Sequence, residues 1–405
     1  MTLGIDFRRG LIALSVLMTA AMTTVAPALA SDFNACVKTL RAEAVGKGIT
    51  AQTFDTALAG IAPDKSVLDA MGSQPEFVTP IWDYLAALVD AERIAEGRAK
   101  LAEWASVLAQ AEQQFGVDRH TIVAVWGVES DFGKILGGRS LVRSLATVSC
   151  FGHRQRFFRG ELIATLRILQ SGDMPPEALV GSWAGAFGQT QFMPSTYQRL
   201  AVDFDGDGRR DIVGSVPDAL GSTANYLNRA GWITGAPWGY EVRLPPQYSG
   251  PSGRRTRQAL AVWSQLGIRQ IDGSALTGSG PAALLMPSGA RGPVFIVFKN
   301  FDAIYSYNAA ESYALAIAHL SDRLQGASAF QTAWPTDDPG LSRAERRVVQ
   351  EKLIERGFDI GKPDGIIGAR TRAAIQAFQT STGLPADGRA GMRVLQALQA
   401  GEPAR

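Results

Sequence analysis

A single glutamate, Glu129, stands near the end of an almost wholly apolar run, AVWGVESDFGK, over residues 124–134. At helical spacing it shares one face with Ile122, Val125 and Trp126, so its carboxyl group should leave the helix on the apolar side. A carboxyl group in apolar surroundings has a raised pKa and can act as a general acid near neutral pH. A structural glutamate that accepts hydrogen bonds from turn amides or an arginine is the alternative interpretation.

Two further segments carry side chains that could hold a flat polar ligand such as a sugar ring. GSWAGAFGQTQFMPSTY, residues 181–197, combines glycines that permit close backbone approach with the polar groups of Ser182 and Gln191. A second set, Tyr307, Asn308 and Tyr313, lies just before or within an apolar helix. The alternatives are a packed helix junction for the first segment and helix capping by the asparagine for the second.

The segment DFDGDGRRD, residues 203–211, has the spacing of a calcium-binding loop. The acidic positions 1, 3, 5 and 9 of such a loop are held by Asp203, Asp205, Asp207 and Asp211. Position 12, where a bidentate glutamate is usual, is Gly214. The four aspartates therefore predict either a weak or otherwise completed calcium site or an Asx-rich turn.

The elements that must position these residues are mostly helical. Apolar periodicity predicts helices over residues 81–112, with a break near Gly97, and over 157–170 and 218–229. Short β-rich runs bounded by glycine or proline predict strands over residues 240–245, 283–287 and 293–298, the last two as a hairpin. Asp118 and Gly133 are predicted to begin and end the helix of Glu129. The fold class is therefore mainly α (α+β), with a small antiparallel sheet.

Composition excludes several classes of protein. A net charge of +2 over 405 residues gives no reason to expect a nucleic-acid partner. The three histidines are far apart in the chain, and their spacing contains no zinc-ligand pair. The two cysteines, Cys36 and Cys150, either form one disulfide in an oxidising compartment or remain two separate thiols.

Residues 1–30 have the features of a cleaved export signal, with Arg8 and Arg9 before an apolar stretch and a small-residue cleavage site over 28–30. A membrane-spanning anchor is the alternative. A lipid-attachment box ending at Cys36 is disfavoured, because it lies beyond the better cleavage site. The expectation is a periplasmic protein with no membrane span after cleavage.

The chain after this signal divides into two units. A stretch of linker composition, residues 326–340, separates a large unit of residues 31–325 from a small one of residues 341–400. In the small unit, apolar periodicity around two Asp-Gly turns predicts three short helices. A generic protein-interaction bundle is the alternative for this unit.

The motifs GVESDFG, GSWAGAFGQTQFMPS, DFDGDGRRDI and YN followed by YALAI, in this order, resemble the B-type lytic murein transglycosylases. The resemblance implies a lysozyme-like catalytic domain over residues 31–325, with Glu129 as the catalytic residue. It implies sugar contacts for Ser182, Gln191, Tyr307, Asn308 and Tyr313. VVQEKLIERGFD and GLPADGRAGMRVLQAL, within residues 341–400, resemble a three-helix peptidoglycan-binding domain.

The resemblance also implies the chemistry, which is cleavage of the β-1,4 bond between N-acetylmuramic acid and N-acetylglucosamine in peptidoglycan glycan strands. Glu129 would protonate the leaving oxygen and then, once ionised, accept the proton of the sugar's own C6 hydroxyl, whose attack forms a 1,6-anhydromuramoyl end. Neither Asp131, which should point away, nor Glu161, interpreted as a helix charge, is expected to serve as a second carboxylate.

This reading requires no cofactor, although the aspartate loop leaves a structural calcium ion open. The alternatives are a hydrolytic muramidase, which would use water as the nucleophile, and a non-catalytic peptidoglycan-binding scaffold. Cell-wall synthesis proteins are further candidate partners.

Overall fold

The computed structural model describes residues 25–72 and 75–401. The export signal predicted over residues 1–30 lies mostly outside these ranges, and residues 25–30 belong to the first helix. Within the described ranges, every helix is too short or too polar to cross a membrane.

The unit that precedes residue 326 is built mainly of helices. They are α1 (Val25–Gly46), α2 (Ala51–Ala57), α3 (Lys65–Ala70), α4 (Pro75–Val78), α5 (Ile81–Leu88), α6 (Ala91–Glu103), α7 (Ala105–Phe115), α8 (Arg119–Ser130), α9 (Leu141–Phe151), α10 (Gln155–Ser171), α11 (Pro194–Leu200), α12 (Val216–Arg229), α13 (Leu260–Gln265), α14 (Lys299–Asn308) and α15 (Glu311–Gln325). The mainly α prediction is confirmed.

The strands form a two-stranded ribbon and one five-stranded sheet. They are β1 (Arg139–Ser140), β2 (Val180–Gly181), β3 (Gly239–Arg243), β4 (Arg257–Gln258), β5 (Arg269–Gln270), β6 (Ala282–Leu285) and β7 (Val294–Val297). The sheet order is β4-β6-β7-β3-β5, and every neighbouring pair is antiparallel. The small antiparallel sheet and the hairpin of β6 and β7 are therefore confirmed.

The helix predicted over residues 81–112 is divided into α5, α6 and α7. Asp90 caps α6 by accepting a hydrogen bond from the amide of Arg93, which starts a new helix there. The break predicted near Gly97 is wrong, because this glycine lies inside α6. A β-carbon at Gly97 would lie 2.6 Å from the side chain of Leu324 and 3.2 Å from that of Phe132, so the glycine serves close packing.

Two hydrophobic cores meet beside α8. One core contains α8 and the buried face of α15, including Ile122, Val125 and Leu320. The other contains α1, α9 and α10, and the disulfide between Cys36 and Cys150 joins α1 to α9 at its edge. Tyr226 and Tyr307 pack against both cores, so the boundary between them passes through the region of the predicted cleft.

The small unit has the three helices α16 (Arg343–Glu355), α17 (Ala369–Thr382) and α18 (Met392–Ala400), as predicted. Two glutamines hold its Asp-Gly turns in the same way. The side chain of Gln350 accepts from the amide of Gly365, and that of Gln379 accepts from the amide of Gly388. Both glycines have positive φ angles, 79° and 70°, which explains their place in the turns.

Residues 326–340 contain no helix or strand and lie against the large unit. The ring of Phe330 stacks on that of His319 with 3.8 Å between centroids. The amides of Gln331 and Thr332 donate to the carboxylate of Glu241 at 2.7 and 2.8 Å. This segment is thus attached to the large unit by packing and by charge-assisted hydrogen bonds.

Candidate active site

Glu129 is the next-to-last residue of α8. Asp118 begins this helix as predicted, because its carboxylate accepts from the amides of His120 and Thr121. The helix ends at Ser130, three residues before the predicted end at Gly133. The backbone is left-handed over residues 131–133, so the chain reverses immediately after Glu129.

Glu129 is partly buried as a residue, and its carboxyl group accepts a hydrogen bond from the hydroxyl of Tyr313. Burial raises the pKa of Glu129 to about 8, the bond from Tyr313 opposes this rise, and the negative charge of Glu76 adds to it. The group is therefore mostly protonated at neutral pH while part of the side chain still reaches solvent. These are the properties of a general acid that a substrate can approach.

Two tyrosines stand beside this carboxyl group. Tyr313, on α15, is buried, and its ring stacks on that of Tyr307 with 6.3 Å between centroids. Tyr307, on α14, donates to the backbone oxygen of Thr190 at 2.8 Å. Burial first, and then the charge of Glu129, raises the pKa of both phenols well above the ordinary value of 10.0. Both therefore remain protonated hydrogen-bond donors.

The segment 181–197 is fastened to α8 by Gln189. Its side-chain oxygen accepts from the indole of Trp126 at 3.0 Å, and its backbone oxygen accepts from the hydroxyl of Ser130. Gly133 must be a glycine because a β-carbon there would lie 2.1 Å from the amide oxygen of Gln189. The glycines of this region thus allow close approach between two parts of the protein.

The structure places Ser182 and Gln191 in tight turns of this segment. The hydroxyl of Ser182 accepts from the amide of Ala186 at 3.0 Å. Gln191 has a positive φ of 52°, and its side-chain amide donates to the backbone oxygen of Gly188 at 2.9 Å. The two neighbours of Gln191 in the chain, Thr190 and Phe192, both contact Tyr307, whereas the polar contact of Ser182 is within its own turn.

Asn308 ends α14, and the residue at the N-cap of α15 is Ala310, so the capping interpretation of Asn308 is wrong. The side-chain nitrogen of Asn308 lies 3.4 Å from a carboxylate oxygen of Glu76. Ser312 also donates to the backbone oxygen of Glu76 at 2.6 Å. These contacts bring Glu76, from the short helix α4, to the site.

A cavity of about 810 Å³ opens at this point, within the size range of ligand pockets. Its wall includes Glu76, Tyr305, Ala310 and Ser312. Phe77, which is 57% exposed, lies at its rim. The site therefore continues into an open groove that has both apolar and polar surfaces.

The aspartate loop is organised differently from the predicted calcium loop. Asp203 and Asp205 converge with Asp218 of α12, and one carboxylate oxygen of each lies within 4.8 Å of the others. Asp207 and Asp211 are not in this group. Three converging carboxylates are the oxygen ligands that Ca²⁺ takes, so the residues fit such an ion. The third carboxylate of this group thus comes from Asp218, outside the predicted loop, and not from position 12, which is Gly214.

Comparison with known proteins identifies the two units. Residues 32–322, more than half of the chain, match the family model of the transglycosylase SLT domain. The chain belongs to this transglycosylase family. Residues 342–398 match the family model of a peptidoglycan binding domain.

Several transglycosylases resemble the chain along much of its length. Membrane-bound lytic murein transglycosylase B of Escherichia coli (strain K12) is 32% identical over 240 residues, 58% of this chain. The match spans 65% of the length of that curated relative. The crystal structure of SltB3 from Pseudomonas aeruginosa in complex with NAG-anhNAM-pentapeptide is 46% identical and has a TM-score of 0.73. The superposition covers 91% of this chain and 99% of the SltB3 chain.

The Escherichia coli lytic transglycosylase Slt35, solved in complex with calcium, is 28% identical and has a TM-score of 0.64. The superposition covers 72% of this chain and 92% of that chain. The transglycosylase fold is therefore shared along the large unit.

The transglycosylase site contains other carboxylates, and the structure distinguishes them from Glu129. The carboxylate of Asp131 turns away toward Arg93 and Arg343. Glu161, within α10, is buried and accepts from the amide and the hydroxyl of Ser195 at 2.9 and 2.7 Å. Both are held in structural hydrogen bonds away from Glu129.

Sequence reasoning missed Glu76, Tyr84 and Tyr226 near the transglycosylase site. The negative charge of Glu129 contributes to the raised pKa of both tyrosines, after burial as the main cause. Tyr226 packs on Tyr307 with 4.5 Å between ring centroids. Tyr226 lies in the segment GSTANYL, residues 221–227, which resembles a motif of the family and could have indicated it. Glu76 and Tyr84 are revealed only by the three-dimensional arrangement.

Proposed function

We propose that this protein is a lytic transglycosylase that cleaves the β-1,4 bond between N-acetylmuramic acid and N-acetylglucosamine of peptidoglycan. The observation that carries the proposal is the state of Glu129, a carboxyl group with a pKa of about 8 that accepts a hydrogen bond from the hydroxyl of Tyr313. Support comes from the relative SltB3, whose crystal structure contains NAG-anhNAM-pentapeptide. An anhydromuramoyl sugar is the product expected when the nucleophile belongs to the substrate itself.

In the first half of the reaction, Glu129 donates its proton to the glycosidic oxygen as the bond to the anomeric carbon breaks. The hydroxyl of Tyr313 then stabilises the new carboxylate, because it is already aimed at one of its oxygens. The low exposure of Tyr313 makes this hydrogen bond stronger than it would be in water.

In the second half, the carboxylate of Glu129 accepts the proton of the C6 hydroxyl of the same muramic acid. The C6 oxygen bonds to the anomeric carbon and closes the 1,6-anhydro ring, while Glu129 returns to its protonated form. One carboxyl group is sufficient because the nucleophile is already tethered to the reacting carbon. Gln191, Tyr307 and Asn308 are proposed to orient the sugars, and Ser182 is proposed as a more distant contact.

The same proposal covers the rest of the chain. Residues 1–30 serve as an export signal, 31–325 as the catalytic domain, 326–340 as a connection and 341–400 as the wall-binding domain. A periplasmic location follows from the substrate, and cell-wall synthesis proteins are the proposed partners there. A wall-binding domain on the same chain raises the local concentration of the enzyme at an insoluble substrate.

A hydrolytic muramidase is the second candidate, and Glu76 is the observation that favours it. Its charge acts on Glu129, and an inverting hydrolase needs a second carboxylate to activate water. The two reactions give products that differ by the mass of one water. Glu76 also accepts a hydrogen bond from the side chain of Asn308 at 3.4 Å, so it can instead position this residue, which is proposed to orient the sugars.

The test is product analysis of purified sacculi digested by the wild type, Glu129→Gln and Glu76→Gln proteins. The proposal expects anhydromuramoyl products from the wild type and from Glu76→Gln, and no products from a Glu129→Gln protein that still binds sacculi. Reducing-end products that disappear in Glu76→Gln would establish hydrolysis instead. Binding of sacculi without any released product would leave the scaffold role.

For the aspartate loop we propose that Asp203, Asp205 and Asp218 hold a structural calcium ion. The calcium complex of Slt35 supports this proposal for a relative of the same fold. The ion would stabilise the loop by neutralising three adjacent carboxylates and would take no part in the reaction. Calcium should raise the melting temperature relative to a chelator, and equal melting temperatures would contradict the site.

A further inference from the structure

The wall-binding domain contacts the catalytic domain directly at the end of the catalytic helix. Arg343, the first residue of α16, donates two parallel hydrogen bonds to the carboxylate of Asp131, at 2.9 and 2.7 Å. Asp131 follows Glu129 by only two residues and is the C-cap residue of α8. A bidentate arginine–carboxylate pair fixes orientation as well as distance.

The turn of residues 131–133, which Arg343 contacts through Asp131, has an unfavourable backbone conformation. Asp131 and Phe132 have φ angles of 52° and 58°, which residues other than glycine rarely adopt. Such a conformation persists only where its surroundings hold it. Phe132 is held by its edge-on contact with Trp126, 5.7 Å between centroids, and Asp131 by its arginines.

The Asp131 carboxylate is buried and keeps other cations near it. Arg93 lies 3.2 Å from one oxygen and Lys134 3.7 Å from the other. Loss of Arg343 therefore leaves the negative charge still paired, so a variant at this position should fold. What the variant loses is the two-point contact of the second domain with Asp131, together with a longer ion pair, 4.0 Å, between Arg343 and Asp90.

Two other ion pairs join the domains away from this turn. Arg347 pairs with Glu92 at a solvent-exposed position, and Arg389 pairs with Asp83. The first of these supplies a matched comparison, because Arg347 is on the same helix as Arg343 and also meets the catalytic domain. It differs in that its partner is not on the catalytic helix.

We infer that Arg343 is a positioning residue, through which the wall-binding domain holds the turn after the catalytic helix and thereby the direction of Glu129. This inference rests on the proposed role of Glu129. It makes the second domain part of the catalytic framework in addition to its role as an attachment to the wall. A small displacement of a catalytic group can lower the rate by as much as about 100-fold.

The test compares full-length Arg343→Gln and Arg347→Gln proteins on a short soluble glycan. The expected result for Arg343→Gln is a kcat lowered about 10-fold or more with KM within about twofold of the wild type, because positioning affects the reaction more than binding. Arg347→Gln should leave both parameters unchanged. Arg343→Lys keeps the charge but not the paired geometry, so it should restore only part of kcat.

A second measurement does not depend on activity. Hydrogen exchange of amides 130–135 should be faster in Arg343→Gln than in Arg347→Gln and in Glu129→Gln. If the wild-type protein has no activity but Arg343→Gln still exchanges faster than Arg347→Gln, the positioning role is upheld and the proposed function is refuted. Equal exchange and equal kcat in the two arginine variants would overturn the inference. If Arg343→Gln does not fold, Arg343→Lys takes its place in both measurements.

Discussion

Replacement of Glu129 by glutamine should stabilise the protein, and the gain should grow with pH. In the unfolded chain the carboxyl group has its ordinary pKa of 4.5, whereas in the folded protein the pKa is about 8. The folded state therefore binds more protons above pH 4.5, and the wild type loses stability as pH rises from about 4.5 to about 8. Glutamine does not titrate, so the variant avoids this loss while its amide oxygen can still accept from Tyr313.

The magnitude follows from the two pKa values. One pKa unit corresponds to about 1.4 kcal/mol, so ionisation of Glu129 in the unfolded state costs the wild type about 3 kcal/mol of stability at pH 7 and about 1 kcal/mol at pH 5. The variant's advantage should therefore increase by about 2 kcal/mol between these pH values. For the large unit of residues 31–325, a difference of about 2 kcal/mol corresponds to roughly 4 °C in melting temperature.

The assay is thermal unfolding of both proteins at pH 5 and pH 7 in the same ionic strength. Effects of the substitution that do not depend on pH cancel in the difference between the two conditions. Glu103→Gln, at an exposed position paired with Lys100, is the control for removal of a carboxyl group from the surface. An advantage for Glu129→Gln that is equal at both pH values, or larger at pH 5, would refute the reasoning that this carboxyl group is desolvated.

Four further outcomes can be measured, one on the wild type and three on variants. The kcat/KM for a soluble glycan should fall above pH 8 as Glu129 ionises. Tyr313→Phe should move this alkaline fall of kcat/KM, the alkaline limb, to higher pH, because it removes the donor that favours the carboxylate. It should also lower kcat at least about 10-fold. Glu76→Gln should move the limb to lower pH, since a neighbouring negative charge is removed; an unmoved limb would show that the two carboxyl groups do not interact. Asp218→Asn should abolish any rise in melting temperature with calcium and destabilise the protein by about 1–3 kcal/mol, because three backbone amides lose a charged acceptor.

The features that sequence predicted correctly depend on neighbours in the chain. Asp118 caps α8 because its carboxylate reaches amides two and three residues ahead. The β6–β7 hairpin follows from two β-rich runs separated by a short loop, and the Asp-Gly turns follow from the left-handed conformation that glycine accepts. The break expected at Gly97 failed because close tertiary packing, which the local pattern does not contain, explains that glycine.

The sequence by itself determined that a glutamate ends an apolar helix, and that the chain consists of a mainly helical unit followed by a three-helix unit. It could do so because helical periodicity, capping and turn chemistry act over a few residues. The tertiary structure alone decided the chemistry of that glutamate. Its pKa depends on burial, on Tyr313 at a separation of 184 residues, and on Glu76, which Asn308 contacts across 232 residues. Electrostatic interactions act through space and not along the chain, so groups distant in sequence determine whether this carboxyl group holds its proton.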